Sequence, residues 1–162
     1  MLTKEEVYAK LTELGIKYGV LEHGPVVSID DMKKIEGMDI VNVPKNLFLR
    51  NDNGKKHYLV AIAEEKEADL KALRPQIGSS RLSFASEERL LQHMGLKKGA
   101  VTLLGLLNEE AADVTVAIDK DLAGRPKLGV HPCDNTATVW LSWEDLEKII
   151  KLTGHEIIFV DI

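Results

Sequence analysis

The sequence is short of cysteine, of net positive charge and of long apolar runs. A single cysteine, Cys133, excludes an internal disulfide and fits a reducing cytosol. Lys and Arg total 21 against 26 Asp and Glu, a formal net charge of -5. That balance disfavours a protein that coats nucleic acid by charge alone but allows a local basic patch. No uninterrupted apolar run approaches the roughly 18 residues of a membrane helix. The opening MLTKEEVYAKL has no apolar signal core, so no membrane partner and a cytoplasmic location are expected. The sequence has no repeat and no linker rich in Pro, Gly or Ser, so residues 1–162 are expected to form one domain. Phosphate-loop, G-x-S-x-G and H-E-x-x-H signatures are missing. The five histidines are scattered without zinc-ligand spacing, so no metal and no cofactor are expected.

What remains is the composition of a globular protein, 44% hydrophobic and 29% charged. Thr3 and Glu6 are spaced as a capping box for a helix with Val7, Leu11 and Leu14 on one face. Tyr18 to Val20 suggests a short strand, and Ser28 caps a helix that carries Met32 and Ile35 and ends at Gly37. Residues 46–50 and 57–62 are strand-like around Asn53-Gly54, a strong hairpin signal. A short helix over 68–73 is expected to stop before Pro75. A strand over 81–84 follows. A helix capped by Ser86 should then turn Leu90, Leu91 and Met94 inward. Strands over 113–119 and 136–141 precede a helix capped by Ser142, whose Trp143, Leu146, Ile149 and Ile150 share a face, and a closing strand over 156–160. The helices are too irregularly placed for strict βαβ alternation. The expected class is mixed α/β (α+β), with a central, mostly antiparallel, barrel-like sheet surrounded by helices.

Three segments stand out chemically. Pro44 fixes the entry to a strand that Lys45 begins; Lys45 is either an edge lysine that discourages aggregation or an ammonium for a phosphate or ribose. Residues 129–138, GVHPCDNTAT, pack Gly, His, Pro, Asp and Asn before a strand. They read as turn chemistry or as a loop that holds an oxyanion and a water. Lys98-Gly-Ala-Val-Thr102 either makes a turn or lets a substrate approach the backbone. Cys133 lies two residues from His131, close enough in an extended loop to share a side with it, which keeps a cysteine hydrolase among the alternatives.

Taken together and in order, Lys45-Asn-Leu-Phe-Leu-Arg50, Ser83-Phe-Ala-Ser86, Gly99-Ala-Val-Thr102, Gly129-Val-His-Pro132 and Asn135-Thr-Ala-Thr138 resemble the YbaK/ProX-type aminoacyl-tRNA editing domain family. Within it the match is to the free-standing prolyl-tRNA editing group, which deacylates alanyl-tRNA(Pro). Members often carry Pro-Phe after Gly-Ala-Val-Thr, where this chain has Leu103-Leu104, and Gly and His shortly before the Lys-Asn pair. The resemblance implies a metal-independent hydrolase acting in trans on the acceptor end of tRNA(Pro), with prolyl-tRNA synthetase as a further implied partner.

It also implies roles for residues. Lys45 would engage the terminal phosphate or ribose, Asn46 would hold that end, and His131 would position water or the adenosine. Gly129, Pro132 and Asn135 belong to the loop that would contact the amino acid. Ile29 and Met32 fall at the spacing of pocket-wall residues, and as plain apolar residues they read equally as core. Lys45, Arg50, Lys55, Lys56 and His57 around the hairpin, with Arg125 and Lys127, would form a track for the acceptor end. The alternatives are removal of cysteine from the same tRNA and a catalytically silent tRNA- or synthetase-binding module.

Overall fold

Short polar side chains start each helix of the computed structural model, which describes residues 1–162. Thr3 and Glu6 form the capping box of α1 (Lys4–Glu13), and Ser28, Asp69, Ser86 and Ser142 cap α2 (Ile29–Lys33), α3 (Leu70–Ile77), α4 (Glu87–Met94) and α5 (Trp143–Leu152). Each cap satisfies a backbone N–H that the helix itself leaves free. The strands are β1 (Gly19–Glu22), β2 (Lys45–Arg50), β3 (His57–Ile62), β4 (Ser83–Phe84), β5 (Thr115–Asp119), β6 (Leu128–Val130), β7 (Ala137–Leu141) and β8 (Ile157–Val160).

The strands form two open sheets. One has the order β4-β2-β3-β5-β8, antiparallel from β4 to β3 and parallel from β3 to β8. The other, β1-β7-β6, is antiparallel throughout. Antiparallel pairings outnumber parallel ones, in keeping with the expected mixed class, but the strands do not close into one barrel.

β3 is buried along its whole length because it is central and covered on both faces. On one face Leu49, Tyr58 and Val60 pack with Leu73 and Ile77 of α3. On the other, Leu59 and Ala61 join the large cluster that takes in Val7, Leu11, Leu90, Met94 and the Trp143, Leu146, Ile149 and Ile150 face of α5. Each large aliphatic side chain so buried contributes about 1.5–3 kcal/mol.

Four local expectations differ from the structure. α3 runs through Pro75 to Ile77. Gly78, at φ +66°, ends it, and the Gly78 and Ser79 N–H groups bond to the Arg74 carbonyl. Burial of Leu73 and Ile77 outweighs the one backbone bond that proline removes. Leu91 faces solvent at 46% exposure, since the α4 stripe that meets the core passes through Leu90 and Met94. α2 ends at Lys33 rather than at Gly37, because the Lys34 N–H bonds back to Asp31 and tightens the last turn. Finally, Leu128–Val130 is a strand, too short and too glycine-bearing to show an alternating pattern.

Candidate active site

A cavity of about 270 Å³ opens where the start of β2 faces the three-stranded sheet. Lys45, Asn46, Gly129, His131, Ile29 and Met32, all expected on sequence grounds, line it. Residues from distant parts of the chain thus converge, because Pro44 leads β2 into the cavity just where β6 delivers Gly129 to His131.

Lys45 stands on β2 opposite Ile62 of β3. Its ammonium donates to the Lys66 carbonyl at 2.7 Å, and no carboxylate pairs with it. An ammonium has three donors, so two remain for a substrate. The turn that provides the Lys66 carbonyl is itself anchored. Fully buried Asp119 accepts from the Ala63 N–H at 3.0 Å and from Lys66 Nζ at 3.0 Å, and Lys66 Nζ also reaches Asp121 at 2.6 Å. Burial alone would raise the Asp119 carboxyl, but the backbone donors of Ala63 and Asp121, with the Lys66 ammonium, hold it below the ordinary carboxylate value.

Asn46 donates weakly from Nδ2 to the Pro44 carbonyl at 3.4 Å, and its Oδ1 is buried with no partner. A buried acceptor left without a donor is costly, so this oxygen is a ready acceptor for a substrate hydroxyl. His131 Nδ1 lies 3.0 Å from the Ala137 carbonyl. A carbonyl only accepts, so Nδ1 carries the proton and Nε2 keeps a free lone pair in the neutral ring. Burial lowers the His131 pKa, against the opposing bond to Ala137, and favours that neutral ring. The Thr102 hydroxyl donates to the His131 carbonyl at 2.6 Å and fixes its backbone.

Gly129 has a packing reason to be glycine. A Cβ there would come within 2.6 Å of the Trp140 ring and 3.1 Å of Thr138 Cγ2. Ile29 and Met32 turn out to be both wall and core. Met32 belongs to a small cluster with Val26 and Val43, with Ile29 packed against it, and both also face the cavity.

Two expected residues stand behind the cavity rather than on it. Pro132 is buried outside the lining. Asn135 latches the rim: its Nδ2 donates to the Val26 carbonyl at 2.7 Å and its own carbonyl accepts from the Val26 N–H at 3.2 Å. Gly99, at φ +85°, packs beneath this latch, where a Cβ would press within 3.1 Å of both Asn135 Nδ2 and Val27 Cγ1.

Cys133 is not placed as a nucleophile. It adopts φ +63°, not an extended conformation, and does not line the cavity. Burial pushes its thiol up to about 12, so it holds its proton at neutral pH. Arg125 and Lys127, expected in the basic track, are both engaged with neighbouring segments. Arg125 Nη1 donates to the Val41 carbonyl at 3.0 Å. Lys127 pairs with Asp39 at 3.5 Å and lies 4.4 Å from the centre of the Trp140 ring.

Sequence reasoning missed Thr138 as a lining residue and His23 behind it. His23 Nδ1 donates to the Gly24 carbonyl at 2.8 Å, which leaves Nε2 to accept from the Thr138 hydroxyl at 2.9 Å. Thr138 lies inside a motif quoted above, but nothing in the sequence marks its pairing across 115 positions.

Comparison with known proteins identifies the family. Residues 23–149 match the family model described as the aminoacyl-tRNA editing domain. The chain is 51% identical to the prolyl-tRNA editing protein ProX of Acetoanaerobium sticklandii, over 96% of this chain and 94% of that protein. It is 31% identical to the mouse (Mus musculus) prolyl-tRNA synthetase associated domain-containing protein 1, over 98% of this chain and 95% of that one. Among solved structures, one described provisionally as a trans-editing enzyme for prolyl-tRNA synthetase superposes with a TM-score of 0.72 at 19% identity, covering 99% of this chain and 97% of that one. The hypothetical protein APE2540 superposes with a TM-score of 0.73 at 17% identity, covering 96% and 97%. At such identities the two structures speak to the fold alone.

Proposed function

The chain belongs to the aminoacyl-tRNA editing domain family, and from that premise we propose that it is a free-standing hydrolase that removes alanine from mischarged tRNA(Pro). The likeness to a prolyl-tRNA editing protein over nearly the whole chain supports the tRNA, and the cavity supports the reaction. The observation that carries the reading is the convergence of Lys45, Asn46 and His131 on one cavity with an apolar wall of Ile29 and Met32.

The need for such an enzyme follows from binding energetics. A synthetase pocket shaped for proline rejects the smaller alanine by only ~1–3 kcal/mol, so a second site must correct the error. An aminoacyl ester is already activated, and positioning with charge stabilisation suffices to hydrolyse it. The free Lys45 donors hold a phosphate or ribose oxygen of the terminal nucleotide. Asn46 Oδ1 accepts a ribose hydroxyl. The His131 Nε2 lone pair accepts the proton of the attacking water or of the vicinal ribose hydroxyl that guides it. The water oxygen adds to the ester carbonyl, the ester bond breaks as His131 returns the proton to the departing ribose oxygen, and alanine and the free ribose hydroxyl leave. We also propose a cytoplasmic location, for which the single cysteine is the support.

The test is deacylation of tRNA(Pro) charged separately with alanine, cysteine, serine and proline. Rapid loss of alanine with proline spared is the expected outcome. Selective loss of cysteine would assign the sister activity, and survival of all four esters with folded protein would contradict the reading.

A further inference from the structure

We propose that Arg50 and Arg89, converging at the turn between β2 and β3, clamp a backbone phosphate of the acceptor stem of the tRNA whose aminoacyl end enters the cavity. The proposal rests on the tRNA reading above. Arg50 ends β2 and Arg89 projects from α4, yet Arg50 Nη2 and Arg89 Nη2 each lie 2.8 Å from the same point, the position that a Cβ on Gly54 would take. Gly54, at φ +70° and without a side chain, lets both guanidinium groups approach its backbone and so each other. No arginine of the protein is paired with a carboxylate. Two like charges held this close repel each other, and an anion between them relieves the repulsion.

The guanidinium groups are also held in place. Arg89 Nη1 donates to the Gly54 carbonyl at 2.9 Å and to His57 Nε2 at 3.1 Å. Arg50 donates from Nε to the Asn51 carbonyl at 3.2 Å and from Nη2 to the Asp52 carbonyl at 3.1 Å. Arg89 Nη2 and Arg50 Nη1 have no partner within the chain, which leaves donors for a phosphate in the planar geometry that arginine supplies. His57 stacks between Phe48, at 5.5 Å, and His93, at 3.9 Å between ring centres. Burial, with His93 and both arginines, lowers His57 to about 4, so it braces Arg89 as a neutral acceptor.

The acids nearby pair with neither guanidinium group. The Asp52 carboxylate accepts from Ser80 Oγ at 2.8 Å and from the Asn53 N–H at 2.7 Å, and Glu87 pairs with Lys98 at 3.4 Å. Glu88 shares the hollow with Arg89 and His93 but bonds to neither. Lys55 and Lys56 on the same turn add positive charge.

The spacing suits a tRNA. Arg50 lies five residues along β2 from Lys45, roughly 17 Å at ~3.4 Å per residue, and the odd spacing turns the two side chains to opposite faces, so the path between them runs around the strand. That distance is about five nucleotides along one strand at ~3.4 Å each, which passes the unpaired terminal nucleotides and reaches the stem. A phosphate contact of this kind sets register and orientation without reading sequence.

The test is binding of uncharged tRNA(Pro) as a function of salt, with wild type, Arg50→Gln, Arg89→Gln and, as a control on another surface, Lys120→Gln. Each arginine variant is expected to bind about tenfold more weakly at low salt and to make the log K against log[salt] slope shallower by about one. Lys120→Gln should behave as wild type. Hydrolysis of alanine from a CCA trinucleotide, too short to reach the turn, should be unchanged in both arginine variants. Wild-type tRNA affinity and salt slope in both would overturn the clamp, as would an equal loss on the trinucleotide. Should Arg89→Gln fail to fold, Arg50→Gln decides alone, since its side chain bonds only to the adjoining turn. If wild type hydrolysed neither ester, the deacylase reading would fall, while the tRNA-binding measurement would still decide the clamp.

Discussion

His131 shows how one hydrogen bond assigns a chemical role. The Ala137 carbonyl fixes the proton on Nδ1, and burial depresses the pKa of the ring. The neutral form, which we propose accepts the proton in the reaction, therefore persists as pH falls below the ordinary imidazole value of 6.5. In single-turnover deacylation the acid limb of the pH–rate profile is expected below pH 6.5, and His131→Asn should abolish that limb together with most of the rate. An acid limb at or above pH 6.5 would show that another group is titrating. Asp119 acts at one remove, through Lys66 and its carbonyl, on Lys45. Its pKa is depressed in the folded protein, so its stabilisation is complete above the ordinary carboxylate value of 3.8 and is lost as pH falls through the lower folded value. Asp119→Asn should cost about 3 kcal/mol at pH 7, as breaking a buried charge pair does. Urea unfolding at pH 7 and pH 3 should show the gap between the two proteins closing at the lower pH.

Among the elements, those with strong periodicity or caps were legible in the sequence. The capping box of α1, the serine caps of α2, α4 and α5 and the apolar face of α5 appear where the spacing puts them. The β2–β3 hairpin does too, because Asn53-Gly54 marks its turn. The misses have physical causes. A helix that contains Pro75 survives because tertiary burial of Leu73 and Ile77 overrides a local penalty. β6 is three residues long and centred on Gly129, which leaves no pattern to read. Cavity-lining residues in contiguous motifs, such as Lys45 and His131, were recoverable, but partners separated by a hundred positions, such as Asn135 with Val26 or His23 with Thr138, exist only once the sheets have formed. Asn135 is accordingly engaged in holding the rim. Asn135→Ala should release the loop before α2 and raise KM for an alanyl ester severalfold with little change in kcat. An unchanged KM, measured by steady-state deacylation, would show that the rim needs no such latch.

For the whole molecule, the net charge of -5 and the proposed nucleic-acid substrate are compatible because positive charge is placed, not abundant. Lys45 lies unpaired in the cavity and Arg50 and Arg89 converge at the far end of the same strand. Arg125 and Lys127, equally basic in sequence, are occupied in holding the segment before Pro44 against the sheet of β1, β7 and β6. Together the two sheets bring the start of β2 opposite His131. The most direct test of that arrangement is single-turnover hydrolysis of alanyl-tRNA(Pro) by wild type and Lys45→Ala at equal, saturating protein. Loss of the unpaired ammonium should lower the rate by about 10²–10³-fold, the scale of removing one positioned charge-stabilising donor, with the fold intact by thermal melting. An unchanged rate in folded Lys45→Ala would contradict the assignment of this cavity as the active site.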